Sequence, residues 1–243
     1  MSRVISNRTL PFFGAAVVIA SLALSGGVAS GAAAGHITAR APQVVYGKYA
    51  LSNWGGYVAT GSSGQFTKVT ASWTEASVTC RNHSELYAPW VGIDGYGNST
   101  VEQTGVQTAC NTGSPVDSAW YEMYPAGPVY YSNPVSTGDS ITATVISSGS
   151  AFTLTITDKT KGWTKSTNSS LGSAQHASAE AVIEAPGGYP TITAVKFTAV
   201  IFDRKALDTY SPLVKLSTNT GSPVTYHPTK IKNTDDFKMV PKP

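Results

Sequence analysis

The feature that most constrains how this chain can fold is a strictly alternating run near its middle. Between Phe152 and Thr157, large apolar residues and threonines follow one another in turn. A period of two puts the apolar side chains on one face of a strand and the hydroxyls on the other. Similar apolar faces occur at 69–73 and 141–145, and clusters of Gly, Ser, Asn and Pro separate such segments. The sequence therefore predicts an all-β fold of short antiparallel strands.

Two further segments bear on this prediction. Residues 191–202 predict one long strand, while the polar, Lys-rich tail after Tyr226 is either a loosely ordered terminus or a further strand. No window after the first 34 residues shows the 3.6-residue apolar stripe of an amphipathic helix. With 41% hydrophobic and only 13% charged residues, the composition suits an extracellular β protein with one sizeable core.

The N-terminal residues have the organisation of an export signal. Arg3 and Arg8 supply a positive region, Phe12–Leu24 is apolar, and small residues lead up to Ala34. This order is typical of a signal peptide, predicted here over residues 1–34. The apolar run is too short, and too interrupted by Ser and Gly, for a membrane anchor. We therefore expect a secreted, extracellular protein without a membrane partner once the signal is removed.

The rest of the chain divides into a short connecting segment and one domain. Residues 35–51 are expected to form a linker or short pro-segment, and residues 52–243 a single β-sandwich domain. Both cysteines, Cys80 and Cys110, lie in that domain. Since export leads to an oxidising compartment, the two are predicted to form a disulfide. A metal site would need more Cys or His ligands than His83 offers nearby, so neither metal nor cofactor is expected.

The distribution of charge points to acidic chemistry rather than to nucleic acid. No Lys or Arg occurs between Arg81 and Lys159, although this stretch holds seven carboxylates. Such a set would repel one another if all were ionised. The carboxylates therefore lie either in solvated loops or around a site that works at low pH. Because the basic residues are scattered and no aromatic-basic module occurs, a nucleic-acid partner is not expected.

Familiar catalytic signatures are missing from the chain. It has no His-Glu-x-x-His motif, no Gly-x-Ser-x-Gly elbow and no pair of Asp-Thr/Ser-Gly triplets. A Ser-His-Asp arrangement stays open, because such triads are defined by geometry. Carboxylates and amides beside aromatic residues remain as candidates. They occur in four segments: 88–95 (Ala-Pro-Trp-Val-Gly-Ile-Asp-Gly), 101–106 (Val-Glu-Gln-Thr-Gly-Val), 119–125 (Ala-Trp-Tyr-Glu-Met-Tyr-Pro) and 179–186 (Ala-Glu-Ala-Val-Ile-Glu-Ala-Pro).

Two of these segments place carboxylates in distinctive positions. In the third, Trp120, Glu122 and Tyr124 share one strand face, which suits either a binding floor or an aromatic core with a rim carboxylate. In the fourth, Glu180 and Glu184 share a face opposite an alanine-rich apolar face. The pattern alone leaves open whether these two glutamates are exposed or line a groove.

Together with Ser-Asn-Trp-Gly-Gly at 52–56, the four segments resemble the motif set of the eqolisins, or glutamic peptidases, in the same order and at similar spacing. The resemblance implies a concanavalin A-like jelly roll, a sandwich of two antiparallel sheets. It also implies an acid endopeptidase acting on polypeptides, which we expect to be a monomer. By motif position, the catalytic pair would be Gln103 and Glu184, and the supporting or substrate-binding residues would be Trp90, Asp94, Glu122 and Tyr124.

The implied mechanism is physically reasonable for these two side chains. Glu184 would take a proton from water and return it to the leaving nitrogen, while the Gln103 amide would orient that water and stabilise the oxyanion. With an ordinary Glu pKa of about 4.3, such a base would stay competent well below neutrality.

The chain also departs from the family pattern. Ser118 stands where the family carries an Asp, and Asp117 comes one residue earlier. A shift of one residue turns Asp117 to the opposite face unless a β-bulge intervenes. Met123 replaces an aromatic residue, which would reshape a cleft there. Cysteines are also fewer than in the familiar fungal members. Within the family, the resemblance is to a bacterial-type member.

Two other functions stay open at this point. A β-sandwich glycoside hydrolase would use two carboxylates, with Glu122 and Glu184 as the pair, and would not require Gln103. A sandwich that binds sugar or peptide without catalysis is the second.

Overall fold

The computed structural model describes residues 44–46, 49–186, 188–218 and 224–242, with side chains from residue 53 onward. Its strands, in chain order, are β1 (Val44–Tyr46), β2 (Tyr49–Ser52), β3 (Trp54–Thr60), β4 (Lys68–Thr74), β5 (Val78–Thr79), β6 (Leu86–Ile93), β7 (Val101–Ala109), β8 (Val116–Tyr124), β9 (Val129–Tyr130), β10 (Ser140–Ser148), β11 (Ala151–Asp158), β12 (Trp163–Ser170), β13 (Ser178–Glu184), β14 (Thr191–Ile192), β15 (Val195–Phe202), β16 (Lys205–Ala206), β17 (Leu213–Thr218), β18 (Thr225–Pro228) and β19 (Phe237–Lys242). One turn of 3-10 helix, Leu207–Thr209, is the only helix of the described residues.

The strands form two large sheets and one small pair. Sheet A has the order β1-β2-β17-β3-β13-β6-β7-β8-β9, and sheet B the order β12-β11-β10-β4-β15-β19-β18, with β16 paired to β15. β5 and β14 form the separate pair. The strands run antiparallel except for β2 and β17, which pair in parallel. The predicted all-β fold with two antiparallel sheets is therefore confirmed.

The predicted N-terminal segments fall largely outside the described residues. This is so for the whole signal peptide, residues 1–34, and for residues 35–43 of the linker or pro-segment. Strand β1 and all of β2 except Ser52 lie in the remainder of that segment, and both strands extend sheet A at one edge. The boundaries of the signal, the linker and the domain remain predictions.

Sheet B follows the alternating sequence pattern closely. In β11 the apolar residues of 152–156 are buried between the sheets, and the threonines between them are partly exposed on the other face. The apolar faces at 69–73 in β4 and 141–145 in β10 enter the same core. The outward hydroxyls pair across strands, as Thr155 and Ser166 do at 3.0 Å. One face is buried and one is solvated, as is usual for antiparallel sheets.

The centre of sheet A departs from that arrangement. Every residue of β6, β7 and β13 is buried, so both faces of these strands are covered. One face packs on sheet B. The other, the outer face of sheet A, carries a second apolar cluster around Trp54, Trp90 and Trp120. The candidate catalytic residues lie on this outer face.

The predicted long strand over residues 191–202 is wrong. It consists of β14 and β15, which belong to different sheets. The Thr193 amide donates to the Ser77 carbonyl at 3.0 Å and continues the β5–β14 pairing, after which Val195 pairs with Met239 in sheet B. The tail after Tyr226 is a strand rather than a loose terminus, because β19 pairs with β15 and β18.

The predicted disulfide between Cys80 and Cys110 is confirmed, with a Cα–Cα distance of 5.6 Å. It ties the segment before β6 to the end of β7. The two cysteines are 30 residues apart, and the chain-entropy relation assigns about 3–4 kcal/mol of stabilisation to a loop of that length. The crosslink therefore holds together two of the strands that carry the site.

Candidate active site

The predicted site residues lie on neighbouring strands of sheet A. Residues in register on adjacent strands point to the same side of a sheet. Glu180 of β13, Gly92 of β6, Gln103 of β7 and Glu122 of β8 pair in succession and form one row across the outer face. Glu184 lies four residues further along β13 and, by alternation, on the same face.

Gln103 and Glu122 are bonded directly. Gln103 Nε2 donates to Glu122 Oε2 at 2.5 Å, and both side chains are buried. The amide nitrogen has a second N–H, and Gln103 Oε1 accepts no hydrogen bond from the described residues. A buried acceptor without a partner is rare in folded proteins. The Gln103 amide can therefore offer one donor and one acceptor to a ligand.

Glu184 lies in a ring of donors. Asn53 Nδ2 donates to its Oε1 at 2.7 Å, and Trp90 Nε1 donates to its Oε2 at 3.2 Å. The rings of Trp54 and Trp90 meet edge to face, with centroids 4.8 Å apart, the arrangement that aromatic quadrupoles favour. The Glu184 carboxyl is therefore held by the Asn53 amide and lies beside the indoles of Trp54 and Trp90.

Trp90 links Glu184 to the Gln103 row. While its Nε1 bonds Glu184, its six-membered ring lies over Gly92, where an added Cβ would be 2.8 Å from Trp90 Cζ3 and 3.2 Å from Gln103 Cβ. Gly105 leaves similar room, because a Cβ there would be 2.6 Å from Trp90 Cβ. Glycine at Gly92 and Gly105 therefore leaves room for the Trp90 indole between Glu184 and Gln103.

Burial dominates the proton equilibria of the two carboxyls. It raises the pKa of Glu184 well above its ordinary value, and the negative charge of Glu122 raises it further, while the indoles of Trp54 and Trp90 and the Asn53 amide lower it in part. Burial raises the pKa of Glu122 to about 8, against the lowering effect of Gln103. In this buried state Glu184 keeps its proton at acid pH. The ordinary Glu pKa expected from the sequence therefore does not apply to the buried Glu184.

Asp94 lies at the end of β6 and supports a loop. Its Oδ1 accepts from Asn98 Nδ2 and the Ala177 amide, and its Oδ2 from the amides of Gln175 and His176, all at 2.7–2.8 Å. Three of these four bonds hold residues 175–177 against the strand end. Asp94 therefore positions chain next to the outer face, and no hydrogen bond links it to Gln103 or Glu184 among the described residues.

Tyr124 and Trp90 both contact the apolar cluster of the outer face, Tyr124 as a partly buried residue at its margin. Tyr124 pairs with Val101 at the start of β7. It lies two residues after Glu122 on β8, so its side chain points to the same face of the sheet. It therefore shares the face of the candidate site, as predicted from the third segment.

The shifted aspartate does not reach this face. Strands β7 and β8 pair without a bulge from Val101 to Ala109, and Asp117 is opposite Thr108, whose hydroxyl donates to it at 2.6 Å. Asp117 therefore points to the side of sheet B, while Ser118 takes the outer position. Met123 also points inward and belongs to the core between the sheets, so the expectation that it reshapes a cleft is wrong.

Sequence reasoning gave no site role to several residues that the geometry brings together. Asn53 and Trp54 surround Glu184, although only their place in the first motif hinted at it. Glu102 and Glu180 are fully buried. A carboxylate in a strand predicted to be buried on both faces is the signal that could have singled them out.

The described residues contain no group of three or more His, Cys, Asp or Glu side chains placed to hold a metal ion. Nor do they include a helix of the length and apolarity needed to cross a bilayer.

The chain is also similar to known proteins in sequence. The Peptidase A4 family matches residues 52–234. Scytalidopepsin B from Scytalidium lignicola is 37% identical over 139 residues, 55% of this chain, and aspergillopepsin-2 from Aspergillus niger is 35% identical over 133 residues, 46% of this chain. The aligned segments span about half the length of these curated relatives (51% and 46%). Both relatives are fungal, so the expected bacterial type is not borne out.

Solved structures give the same result over a longer range. Scytalido-glutamic peptidase with a transition-state analog inhibitor is 25% identical with a TM-score of 0.66, covering 78% of this chain and 98% of that one. Aspergilloglutamic peptidase from Aspergillus niger, 23% identical with a TM-score of 0.56, covers 65% of this chain and 99% of its own and shares the fold. A family match over three quarters of the chain, with these relatives and neighbours, places this chain in the Peptidase A4 (eqolisin) family.

Proposed function

We propose that this chain is a secreted acid endopeptidase that hydrolyses peptide bonds with Glu184 and Gln103. The observation that carries the proposal is a fixed carboxyl and an unsatisfied amide on one sheet face, linked by the Trp90 indole. The names of the relatives, peptidases with an inhibitor-bound structure among them, support the same chemistry.

The reaction would proceed through one proton carrier. Ionised Glu184 takes a proton from water as the water oxygen attacks the peptide carbonyl carbon, and the carbonyl oxygen becomes an oxyanion. The free N–H of Gln103 donates to that oxyanion, and Gln103 Oε1 accepts from the attacking water. When the carbon–nitrogen bond breaks, Glu184 returns the proton to the leaving amine. Glu122 holds the amide in the orientation that this requires.

Access is part of the mechanism. Because Glu184 and Gln103 are both fully buried, a peptide reaches them only after the outer face opens. Water that enters with the peptide reduces the free-energy cost of ionising Glu184. Opening of the outer face therefore lowers the pKa of Glu184, and the ionised carboxylate forms at a lower pH than in the closed state.

The polypeptide substrate, extracellular location and monomeric state belong to this proposal. The alternative glycosidase would use Glu122 and Glu184 and gives no role to the buried, unsatisfied Gln103 oxygen. A binding-only sandwich leaves the unsatisfied amide and the donor-lined carboxyl without a purpose.

The test is hydrolysis by the purified mature protein. Initial rates on acid-denatured haemoglobin and on xylan, from pH 2 to pH 8, separate the three functions. We expect release of peptides at acid pH and no reducing sugar from xylan. Sugar release without peptide release would identify a glycosidase, and neither activity would leave a binding protein.

A further inference from the structure

A small pocket beside strands β15 and β19 of sheet B contains no residue of the proposed reaction. Its volume is about 150 Å³, which gives room for roughly five water molecules and is about half the lower limit of pockets that hold a whole small molecule. Six polar residues line it: Lys196, Thr229, Lys232, Asn233, Asp236 and Lys238. A pocket of this size and polarity suits one small polar group.

The lining of this pocket is positively charged. Three lysines accompany one aspartate, so positive charges exceed negative ones by two. Asp236 Oδ2 lies 2.9 Å from Lys196 Nζ and forms an ion pair with that lysine, while Asp235, next to it in the chain, is not part of the lining. Among the residues that the structure describes, no ion pair includes Lys232 or Lys238. These two ammonium groups are therefore available to an anion.

The strand register brings two of the lysines together. Lys196 of β15 and Lys238 of β19 are directly opposite each other, and like charges in that position destabilise a strand pair. The register cannot slip, because the adjacent pair, Phe197 and Phe237, is buried and its rings stack with centroids 4.9 Å apart. The fold therefore holds the two ammonium groups near each other, and an anion between them would relieve their repulsion.

The loop that carries Lys232 is fixed in place. The Lys232 amide donates to the Asp236 carbonyl at 2.7 Å, and the Asp236 amide donates to the Lys232 carbonyl at 2.9 Å. Between them Asn233 and Thr234 have positive φ angles of 52° and 71°, a conformation that is uncommon for a β-branched residue and that occurs preferentially at ligand clamps and active sites. The wall of the pocket is therefore formed before any ligand binds, which reduces the entropic cost of binding.

We propose that this pocket binds a phosphate group, either as the free ion or as a monoester carried by a larger molecule. The inference goes beyond the proposed peptidase activity and does not depend on it. The ammonium groups of Lys232 and Lys238 donate charge-assisted hydrogen bonds to the phosphate oxygens. The second N–H of the Asn233 amide, whose Nδ2 lies 3.4 Å from Asp236 Oδ2, supplies a neutral donor.

The charge and shape of the lining favour phosphate over a carboxylate. A phosphate group carries about −1.5 to −2 charges at pH 7 and offers at least three acceptor oxygens, which matches the excess of two positive charges in the lining. A carboxylate has one charge and two oxygens, so it leaves one of the two free ammonium groups without a partner.

The test is a titration of the mature protein with inorganic phosphate at pH 7 and constant ionic strength, followed by the amide chemical shifts of the ¹⁵N-labelled chain. We expect saturable shifts at Lys196 and at residues 229–238, and weaker binding of acetate at the same amides. Shifts that do not saturate, or that spread evenly over the exposed lysines, would overturn the site. Acetate binding as tight as phosphate binding would overturn it too.

A pair of double variants tests the two lysines. In Lys232→Gln/Lys238→Gln the Kd for phosphate should rise at least about tenfold, the size of one charge-assisted hydrogen bond. Both lysines are exposed, so the fold should be retained. The matched control is Lys159→Gln/Lys165→Gln, which removes the same charge from two exposed lysines after β11 and in β12, and its Kd should stay within about twofold. Equal weakening in the two double variants would mean a general effect of net charge and would refute the pocket.

Salt elution from phosphocellulose identifies the carrier of the phosphate group. Earlier elution of Lys232→Gln/Lys238→Gln than of the control variant supports a phosphate borne by a polymer. Equal elution of the two variants, with binding of the free ion retained by the wild-type protein, supports the free ion as the ligand. Absence of phosphate binding in both measurements overturns the proposal. Neither measurement uses peptide hydrolysis, so the result stands whether or not the chain is a peptidase.

Discussion

The faces that the two sheets turn away from each other have opposite chemistry. On sheet B the outward face carries paired hydroxyls, such as Thr70 with Thr144 at 2.8 Å and Ser72 with Thr142 at 2.7 Å. On sheet A the outer face has three tryptophans and the carboxyls of Glu122, Glu180 and Glu184, all buried. Both faces belong to antiparallel strands of similar length, so backbone geometry does not account for the contrast.

The difference lies in what each face must do. A hydroxyl face remains in contact with water, where its side chains need no partner from elsewhere and carry no charge that changes with pH. A buried carboxyl face is costly to fold, because every unpaired oxygen loses its hydration. Such a cost is tolerated where function requires it. The contrast therefore supports the proposal that sheet A carries the catalytic residues and that sheet B supports them.

The largest effect on the rate of peptide hydrolysis is expected from a substitution of Glu184 on the outer face of sheet A. Glu184→Gln keeps the shape of the side chain but removes the group that accepts and returns the proton. We expect the rate of peptide hydrolysis to fall by at least about 10²–10⁴-fold, the usual contribution of general acid–base catalysis. The measurement is the initial rate on a peptide near pH 3–4, with circular dichroism to verify folding.

Glu75 offers a matched control for that variant. Like Glu184, it is buried and accepts a hydrogen bond from an indole, Trp73 Nε1 to Oε2 at 3.0 Å. It follows β4 of sheet B instead of lying on the outer face of sheet A. Glu75→Gln should change the melting temperature and leave hydrolysis within about twofold. A folded Glu184→Gln enzyme that works at the wild-type rate would show that this carboxyl is not the base.

A smaller loss of activity is expected when the Gln103 side-chain amide is removed. Gln103→Ala removes the oxyanion donor, for which losses of about 10²–10³-fold in kcat are typical. Glu122→Gln should retain measurable peptidase activity, because in the proposed mechanism Glu122 only orients Gln103, to which it is hydrogen-bonded. The glycosidase alternative predicts the reverse order, with Glu122→Gln inactive and Gln103→Ala active on sugar, so the pair of kcat values decides between them.

The stability of the fold should also depend on pH, through the buried carboxyls of both sheets. Burial raises the pKa of Glu102 to about 9 and that of Glu75 and Glu122 to about 8. The unfolded chain loses these protons near the ordinary Glu value of about 4.3, while the folded chain keeps them. Their contribution is therefore complete below that value and is lost as pH rises through about 8–9.

We therefore expect calorimetric melting temperatures to be highest near pH 4 and to fall toward pH 8 at constant ionic strength. Glu102→Gln should reduce this slope, because it removes a group that the folded state protonates preferentially. Asp208→Asn, at an exposed position, provides the matched surface substitution, and its melting temperatures are measured over the same pH range. A protein more stable at pH 7 than at pH 4 would contradict the conclusion that these buried carboxyls are protonated in the folded state.

The contrast between the faces also explains how far sequence reasoning reached. On sheet B a single buried face produces strict alternation, so β4, β10 and β11 could be identified from their residues alone. On β13 both faces are buried, and alternation of glutamate with alanine looks the same for an exposed edge and a covered groove. Motif order singled out Gln103 and Glu184, but the pKa of Glu184 and the role of Trp90 depend on packing between distant segments. The split of residues 191–202 was hidden for the same reason, because the pairing partner decides where a strand ends.

The smallest effect is expected on the hydroxyl face. Thr155→Val keeps the β-branched shape and removes the hydroxyl that pairs with Ser166 at 3.0 Å. Because water can replace that bond at a partly exposed position, stability should change by no more than about 0.5 kcal/mol. The kcat/KM on peptide should be unchanged, since sheet B only supports the site. Chemical denaturation and the peptide assay on the same preparation measure both quantities. A loss of activity without a loss of stability would mean that the sheet B face takes part in substrate binding, and the division of labour between the two faces would then be wrong.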